Sequence, residues 1–541
     1  MADIFEKPSV GRLVAGGTYI VGFGVLAGIV SWIFAAIASR SDIGVGSLYG
    51  FLVTASALGV IGASISGGFN QALSKYISEA LVESKEKAIA YAKAGFLVFN
   101  IIGLILFGIF LAVAVWFFPI NFYYGLTFAI MAVVYVIGFF QSNIEGNLAA
   151  LHRFDYIGKK NLFGTIVGMT LGFGILFLVP GDIRAVLLPL SMIATAITQI
   201  VFLIYYLRKV GHYPISAIFK GARREEVFQL VKYGLYCIVP VLILSGAILY
   251  IQTLWYSGFF SFESLIVSAN GIIIGYSSVA LAICQIGWPQ IPAVSEAKAM
   301  NDYKLIDAYM KNTFHNGFNM SIFLLTIYIG ISYQLLFLFH GVQYTIAQIP
   351  FIIMSSGLII LGIEFLICSL LIGLGEGKKS ALLILSLTVS QIIFVPLLMI
   401  LFQNISMDAT LYAGPLCLLI SSAAIFPFAF YYLTQYSHNP KRVYLSILGK
   451  GVVSILLALL CYGFLEWFIF PKSSLPIDMA IGIFVRVAAL FGFFLIFMLI
   501  FNGLNDADLN LYEKLVPWPL RLLFKPLRSL MHHSPFYRKE D

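Results

Sequence analysis

A chain of 541 residues that is 60% hydrophobic and only 11% charged leaves no room for a large water-soluble domain. Its formal net charge of +8 would point to nucleic acid in a soluble protein, but here the basic residues lie between long apolar runs and act as topology signals. The composition predicts an all-α polytopic membrane protein, because among spanning structures only helices and closed barrels satisfy backbone polar groups in lipid.

The first apolar run, 13–39, follows a segment with acids and no small-residue cleavage site, so it reads as a retained helix rather than a signal peptide. The second is 45–66. Each is long enough to cross a hydrocarbon core of ~30 Å at ~1.5 Å per residue. The polar connection 67–94 carries Ser78-Glu79-Ala80, then Lys87, Ile89, Tyr91 and Lys93. Runs 95–118, 125–147, 162–179 and 185–207 complete a first set of six. The stretch 208–232, with Arg208, Lys209, Lys220, Arg223, Arg224 and Lys232, marks a boundary between two halves.

Runs 233–256 and 265–288 open the second half. The connection after them repeats the residue pattern of 78–93: Ser295-Glu296-Ala297, then Lys304, Ile306, Tyr309 and Lys311. The copies begin at positions 78 and 295, six runs apart, so both connections fall on the same side. A same-topology repeat of this kind implies two bundles related by an axis along the membrane normal. Runs 317–339, 350–374, 381–402 and 413–433 close the second bundle, and 452–470 and 477–501 bring the total to fourteen. The expected domains are therefore two six-helix bundles, 1–215 and 216–440, an appended helix pair, 441–503, and a tail, 504–541. In the tail, 505–508 can cap a short helix, and Trp518 and Phe524 alternate with Arg521, Lys525 and Arg528 as in an amphipathic segment at the lipid headgroups.

All but four of the 33 lysines and arginines fall in connections on one side, the side of the N-terminus. The exceptions are Arg40, Arg184 and Lys472 on the other side and Arg486 inside the last run. The positive-inside rule then places both termini in the cytoplasm of a multi-pass cell-membrane protein. The opposite loops, such as 119–124 and 471–476, are too short to hold a catalytic domain.

Enzyme chemistry finds no footing. The five cysteines lie within apolar runs without a CxxC spacing, and the seven histidines form no HExxH or other ligand pattern, so no metal or cofactor is expected. The phosphate-loop look-alike Gly375-Glu376-Gly377-Lys378-Lys379-Ser380 links two spans and is a positive-inside turn. Ionisable residues within spans are costly and so are functional candidates. Glu364 is a candidate coupling or cavity residue, unless it is a carboxyl kept neutral between helices. Arg486 is a candidate anion contact, unless it snorkels to the outer interface. Amides such as Gln141, Gln199, Gln252, Asn270, Gln285 and Gln391 either join helices or line a cavity.

Two stretches carry a resemblance. Gly46-Ser47-Leu48-Tyr49-Gly50 with Gly67-Gly68-Phe69 and Ala72–Glu79 surrounds the second run; Gly275-Tyr276-Ser277-Ser278 and Trp288-Pro289 through Ala297 surround the eighth. These resemble the polysaccharide-transporter, or oligosaccharidyl-lipid flippase, branch of the superfamily that also contains multidrug and toxin extruders. The resemblance implies two six-helix bundles forming a V around a cavity that opens alternately to each side, and a substrate made of a polyprenyl chain, phosphate and saccharide. The fourteen runs look more like the lipid II flippases, whose two additional helices hold the lipid tail, than like twelve-span extruders. Lys75, Arg153, Lys159 and Lys160 are then candidate substrate-binding cations at the cytoplasmic entrance, unless they only set topology. The expected partners are the lipid-linked saccharide, membrane lipid and glycan-assembly enzymes, with the protein a monomer and no nucleic acid involved. The alternative is an ion-coupled multidrug antiporter; a membrane-embedded glycosyl- or acyltransferase is disfavoured by the absent motifs.

Overall fold

A computed structural model describes residues 9–40, 47–120, 122–179, 187–210, 221–244, 247–260, 265–277, 285–468 and 476–501, with parts of 503–513 and then 524–534. Every regular element among the described residues is helical. In chain order they are α1 Val10–Arg40, α2 Ser47–Glu83, α3 Lys85–Phe117, α4 Phe122–Ala150, α5 Phe154–Leu178, α6 Leu190–Val210, α7 Arg224–Leu244, α8 Ala247–Phe259 and α9 Leu265–Ser277. There follow α10 Gln290–Ala299, α11 Tyr303–His340, α12 Gln348–Gly373, α13 Gly377–Gln403, α14 Ala413–Tyr436, α15 Lys441–Phe468, α16 Pro476–Ile500 and α17 Phe524–His532.

Ten helices among the described residues are long and apolar enough to cross a membrane. One departure from the sequence reading has a local cause. The connection after the second run is helix rather than loop: α2 continues for 37 residues, and α3 starts directly after it, capped by the Ser84 side chain on the Lys87 amide. Of the run 233–256 the structure describes α7, which contains Pro240, and α8. Of the run 265–288 it describes α9 and a 3-10 turn, Gln285–Gly287, that leads into α10.

The two Ser-Glu-Ala copies end up in matching settings. Each lies near the end of a helix, and each is followed by a capped long helix: Ser84 caps α3, and Asp302 caps α11 by accepting from the Leu305 amide at 3.0 Å. Helices α10, α12 and α4 close with the same pair of backbone bonds. After α4, Arg153 N–H reaches Leu148 O and His152 N–H reaches Ala149 O; Asp302 with Ala297 and Glu376 with Leu371 form the counterparts. This Schellman closure needs a left-handed residue, supplied by His152 (φ 56°), Asn301 (φ 57°) and Gly375 (φ 87°).

Helices α15 and α16 pack on α11. Phe323 meets Phe491 and Phe494 at ring distances of 5.1 and 5.7 Å, and Gly330 leaves room for Leu490. Asp307 of α11 accepts from the His438 amide at 2.9 Å and so fixes the chain between α14 and α15. Helix α17 docks on the end of α16 through Met531, buried with Leu499 and Leu509. Of the cap expected at 505–508 only Asp506 is described, 3.0 Å from His532 Nε2; the segment 514–523, with Trp518 and Arg521, lies outside the described residues, as do Arg184 and Lys472.

Candidate functional site between the two halves

Helix α1 meets the second half of the chain at the 3-10 turn before α10. A Cβ on Gly16 or Gly17 would meet Pro289 or Ile286 in ordinary contact at 3.5 Å, whereas one on Gly24 would stand 3.0 Å from Gln285 Oε1, so Gly24 is where a side chain would crowd the turn. A pocket lies beside this contact, lined by Leu13, Val14, Gly17 and Thr18 of α1, by Ile286, and by Thr313, Asn316 and Met320 of α11. Thr313, which lines it, has its hydroxyl buried without a hydrogen-bond partner, and so are Gln285 Oε1, Trp288 Nε1 and Gln290 Oε1 of the segment that leads into α10.

One turn below the pocket, on the side of the basic connections, three charged groups from distant parts of the chain converge. Arg12 of α1 pairs with Glu296 of α10, and His152 Nε2, from the turn after α4, stands 2.9 Å from the same Glu296 oxygen. Arg12 and His152 are 4% and 6% exposed, so water screens the cluster little. Burial alone would raise the Glu296 carboxyl, but His152 and Arg12 outweigh it and hold the group below the ordinary carboxylate range. Burial and the Arg12 charge together hold His152 below the ordinary imidazole range, with Glu296 opposing.

Helix α2 of the first half packs on α10 and on α7 of the second. A Cβ on Gly68 would fall 2.5 Å from the Ile238 backbone, so the two helices touch main chain to main chain. Tyr91 donates to Gln229 at 2.6 Å across α3 and α7, and Tyr233 of α7 donates to Ile372 O at 2.6 Å. The halves are thus joined on the basic side at α1–α10, α2–α10 and α2–α7.

The residues singled out from sequence are not gathered at one place. Lys75 is buried, bonded to both Glu79 oxygens at 2.7 Å and set over the rings of Tyr76 and Tyr233. Arg153 makes two 3.0 Å bonds to Asp155 and lies 3.9 Å above the Tyr156 ring, which Lys159 also approaches, at 5.6 Å. Lys160 is inside the first half, 2.8 Å from Glu145 and 3.4 Å from Gln199, which also accepts from Gln141. Arg486 is held by Glu466 of α15 through two 2.9 Å bonds, and Tyr462 donates to that carboxylate and lies 3.0 Å from Gly330 O. Glu364 is 1% exposed, and neither of its oxygens has a hydrogen-bond partner. Leu366 and Ser369 turn to Gly287 in the 3-10 turn; Glu364 instead shares the stripe of Cys368, which reaches Ser380 O.

Sequence reasoning does not single out Arg12, His152, Glu296 or Glu466 as site residues. Glu296 carries a signal, its place in the repeated Ser-Glu-Ala. Glu466 hides near the end of the run 452–470, although its spacing to Tyr462 and the basic partner across a short turn are visible in the sequence.

The fold is that of MATE transporters. A MATE structure in the straight conformation superposes with a TM-score of 0.67 at 13% identity, covering 80% of this chain and 98% of the other. The eukaryotic MATE transporter AtDTX14 gives a TM-score of 0.61 at 13% identity, with 80% and 100% coverage. A transporter of the MOP superfamily from Pyrococcus furiosus Vc1, described as having reversed polarity in its binding pocket, gives 0.61 at 11% identity, with 80% and 98% coverage. No family model and no curated protein matches the chain in sequence.

Proposed function

We propose that this chain is a cell-membrane transporter that flips a polyprenyl-phosphate-linked saccharide by alternating access, working as a monomer with both termini in the cytoplasm. The observation that carries the reading is the appended pair α15–α16. The MATE-like fold covers four-fifths of the chain, and the segment after Pro440 has the length of the remaining fifth. That segment packs on α11, which also lines the inter-half pocket, and so offers a lipid tail a surface beside a polar site. Moving a phosphate-sugar headgroup through hydrocarbon unaided is prohibitive, whereas a polar path between the halves lets the tail stay in lipid. Arg153 and Lys159, stacked on Tyr156, serve in this reading as entrance cations, with Lys75 and Lys160 behind them.

The second reading is an ion-coupled antiporter of MATE type. It is favoured by the Glu364 carboxyl, buried in the second half without a partner, where a proton or cation could bind. One comparison separates the two. Loss of the protein should strand lipid-linked saccharide on the cytoplasmic face and remove a surface glycan. Unchanged surface glycans with raised sensitivity to cationic drugs would decide for the antiporter.

A further inference from the structure

We propose that Arg12 and His152 form a phosphate seat that Glu296 fills from within while the halves are joined, and that a substrate phosphate takes Glu296's place when they part. The inference rests on the transport reading above and adds to it the group that receives the headgroup.

The argument begins with charge. Arg12 belongs to α1 and His152 to the turn after α4, so both stand in the first half, whereas their shared counter-ion belongs to α10 in the second. Separating the halves on the basic side must pull one carboxylate away from two buried donors. Stripping a buried cation of its partner costs several kcal/mol, so opening is uphill unless another anion or water arrives. A phosphate monoester or diphosphate carries more charge than a carboxylate and matches the guanidinium fork.

The surroundings offer donors that Glu296 does not use. Arg12 Nε and the Thr313 hydroxyl are buried without a partner, and the Tyr309 hydroxyl lies beside Arg12. Thr313 and Leu13, the neighbour of Arg12, line the pocket described above, so Arg12 adjoins its lining. His152 occupies the left-handed position of its turn, which Asn301 and Gly375 hold in the two equivalent turns, and from there its Nε2 stands 2.9 Å from Glu296.

The test uses the full chain in vesicles of phosphatidylcholine, with three probes: a short-chain polyprenyl phosphate, phosphatidylglycerol and inorganic phosphate. Glu296→Gln removes the internal anion and keeps the shape, so affinity for the phosphate probes should rise about tenfold or more. Arg12→Lys should bind several-fold more weakly, and Arg12→Gln in the Glu296→Gln background should cancel the gain. Because Glu296→Gln loses only a charge, its folding is checked by the unchanged binding of a cationic dye to the lipid-facing surface and by normal thermal unfolding. A gain for polyprenyl phosphate alone supports both the seat and the transport reading. A gain shared by phosphatidylglycerol or inorganic phosphate keeps the seat and argues against the lipid-linked substrate. Equal binding of all three probes by wild type, Glu296→Gln and the double variant would overturn the seat.

Discussion

At the scale of single residues, the buried charges of this chain are mostly spoken for. Arg486 has Glu466, Lys160 has Glu145 and Lys75 has Glu79. The Arg486–Glu466 pair is only partly sheltered, because Glu466 is about a third exposed. Glu466→Ala should therefore cost roughly 1–2 kcal/mol rather than the ~3–5 kcal/mol of a fully buried pair. The double variant Glu466→Ala with Arg486→Ala should recover part of that loss in thermal unfolding in detergent. Strict additivity of the two would show that the groups do not stabilise each other. Glu364 behaves oppositely. With no hydrogen bond to lose and no partner for a charge, Glu364→Gln should unfold at no lower temperature than wild type; a marked loss of stability would reveal a contact for the carboxylate.

The His152–Glu296 contact gives the molecule a pH response whose sign can be worked out. In the joined state burial, the largest cause, holds the imidazole below its ordinary range near ~6.5; parting exposes it to water and so raises it, although Arg12 stays beside it and Glu296 leaves. The separated state then binds the proton more tightly, so acidification below about pH 6.5 favours parting of the halves. Glu296, also held low while joined, adds the same tendency only nearer its own ordinary value of ~4.3. Spin labels at Lys85 and Lys304, which follow the two Ser-Glu-Ala copies, should move apart between about pH 8 and about pH 5.5. In His152→Gln that response should vanish. A pH-independent distance in wild type would remove His152 from the contact's energetics.

At the scale of helices, glycines decide where elements touch. Gly68 faces the Ile238 main chain, which cannot move aside as a side chain can, so Gly68→Ala should cost about 1–3 kcal/mol by overpacking α2 on α7. Gly108 faces open space, and Gly108→Ala should be neutral or gain up to ~1 kcal/mol of helix propensity. Comparing the unfolding temperatures of the two variants checks the contrast; equal shifts would mean that the α2–α7 contact yields more readily than a main-chain contact should. This scale also marks the limit of what the sequence discloses. Hydropathy finds apolar runs because the bilayer dictates their length, and it locates α1, α3–α6 and α11–α16. It cannot see that the end of the run 265–288 is a 3-10 turn, Gln285–Gly287, since the two kinds of helix are equally apolar; Gly287 and Trp288-Pro289 are local hints. Lys75–Glu79 is legible as an i,i+4 pair. Arg12–Glu296 joins residues 284 positions apart and depends on how the halves meet, which no local pattern encodes.

At the scale of the whole molecule, the two ends of the chain have different obligations. Helices α15 and α16 pack on α11, yet the α11 face they cover is apolar and would face lipid without penalty if they were absent. A chain ending at Pro440 should therefore insert and keep the α1–α10 and α2–α7 contacts, read from the Lys85–Lys304 distance, while losing transport of a lipid-linked saccharide. Retained transport by the shortened chain would count against the appended pair as the home of the lipid tail.

The left-handed His152 sets two demands of the chain against each other. The turn after α4 would rest more easily with glycine, by roughly 1 kcal/mol, so its local comfort and the imidazole's contact with α10 pull toward different residues. His152→Gly separates the two. It should leave α4 and α5 better joined than before while the halves drift apart more readily, so that a protein measurably harder to unfold cycles as though it were less firmly shut.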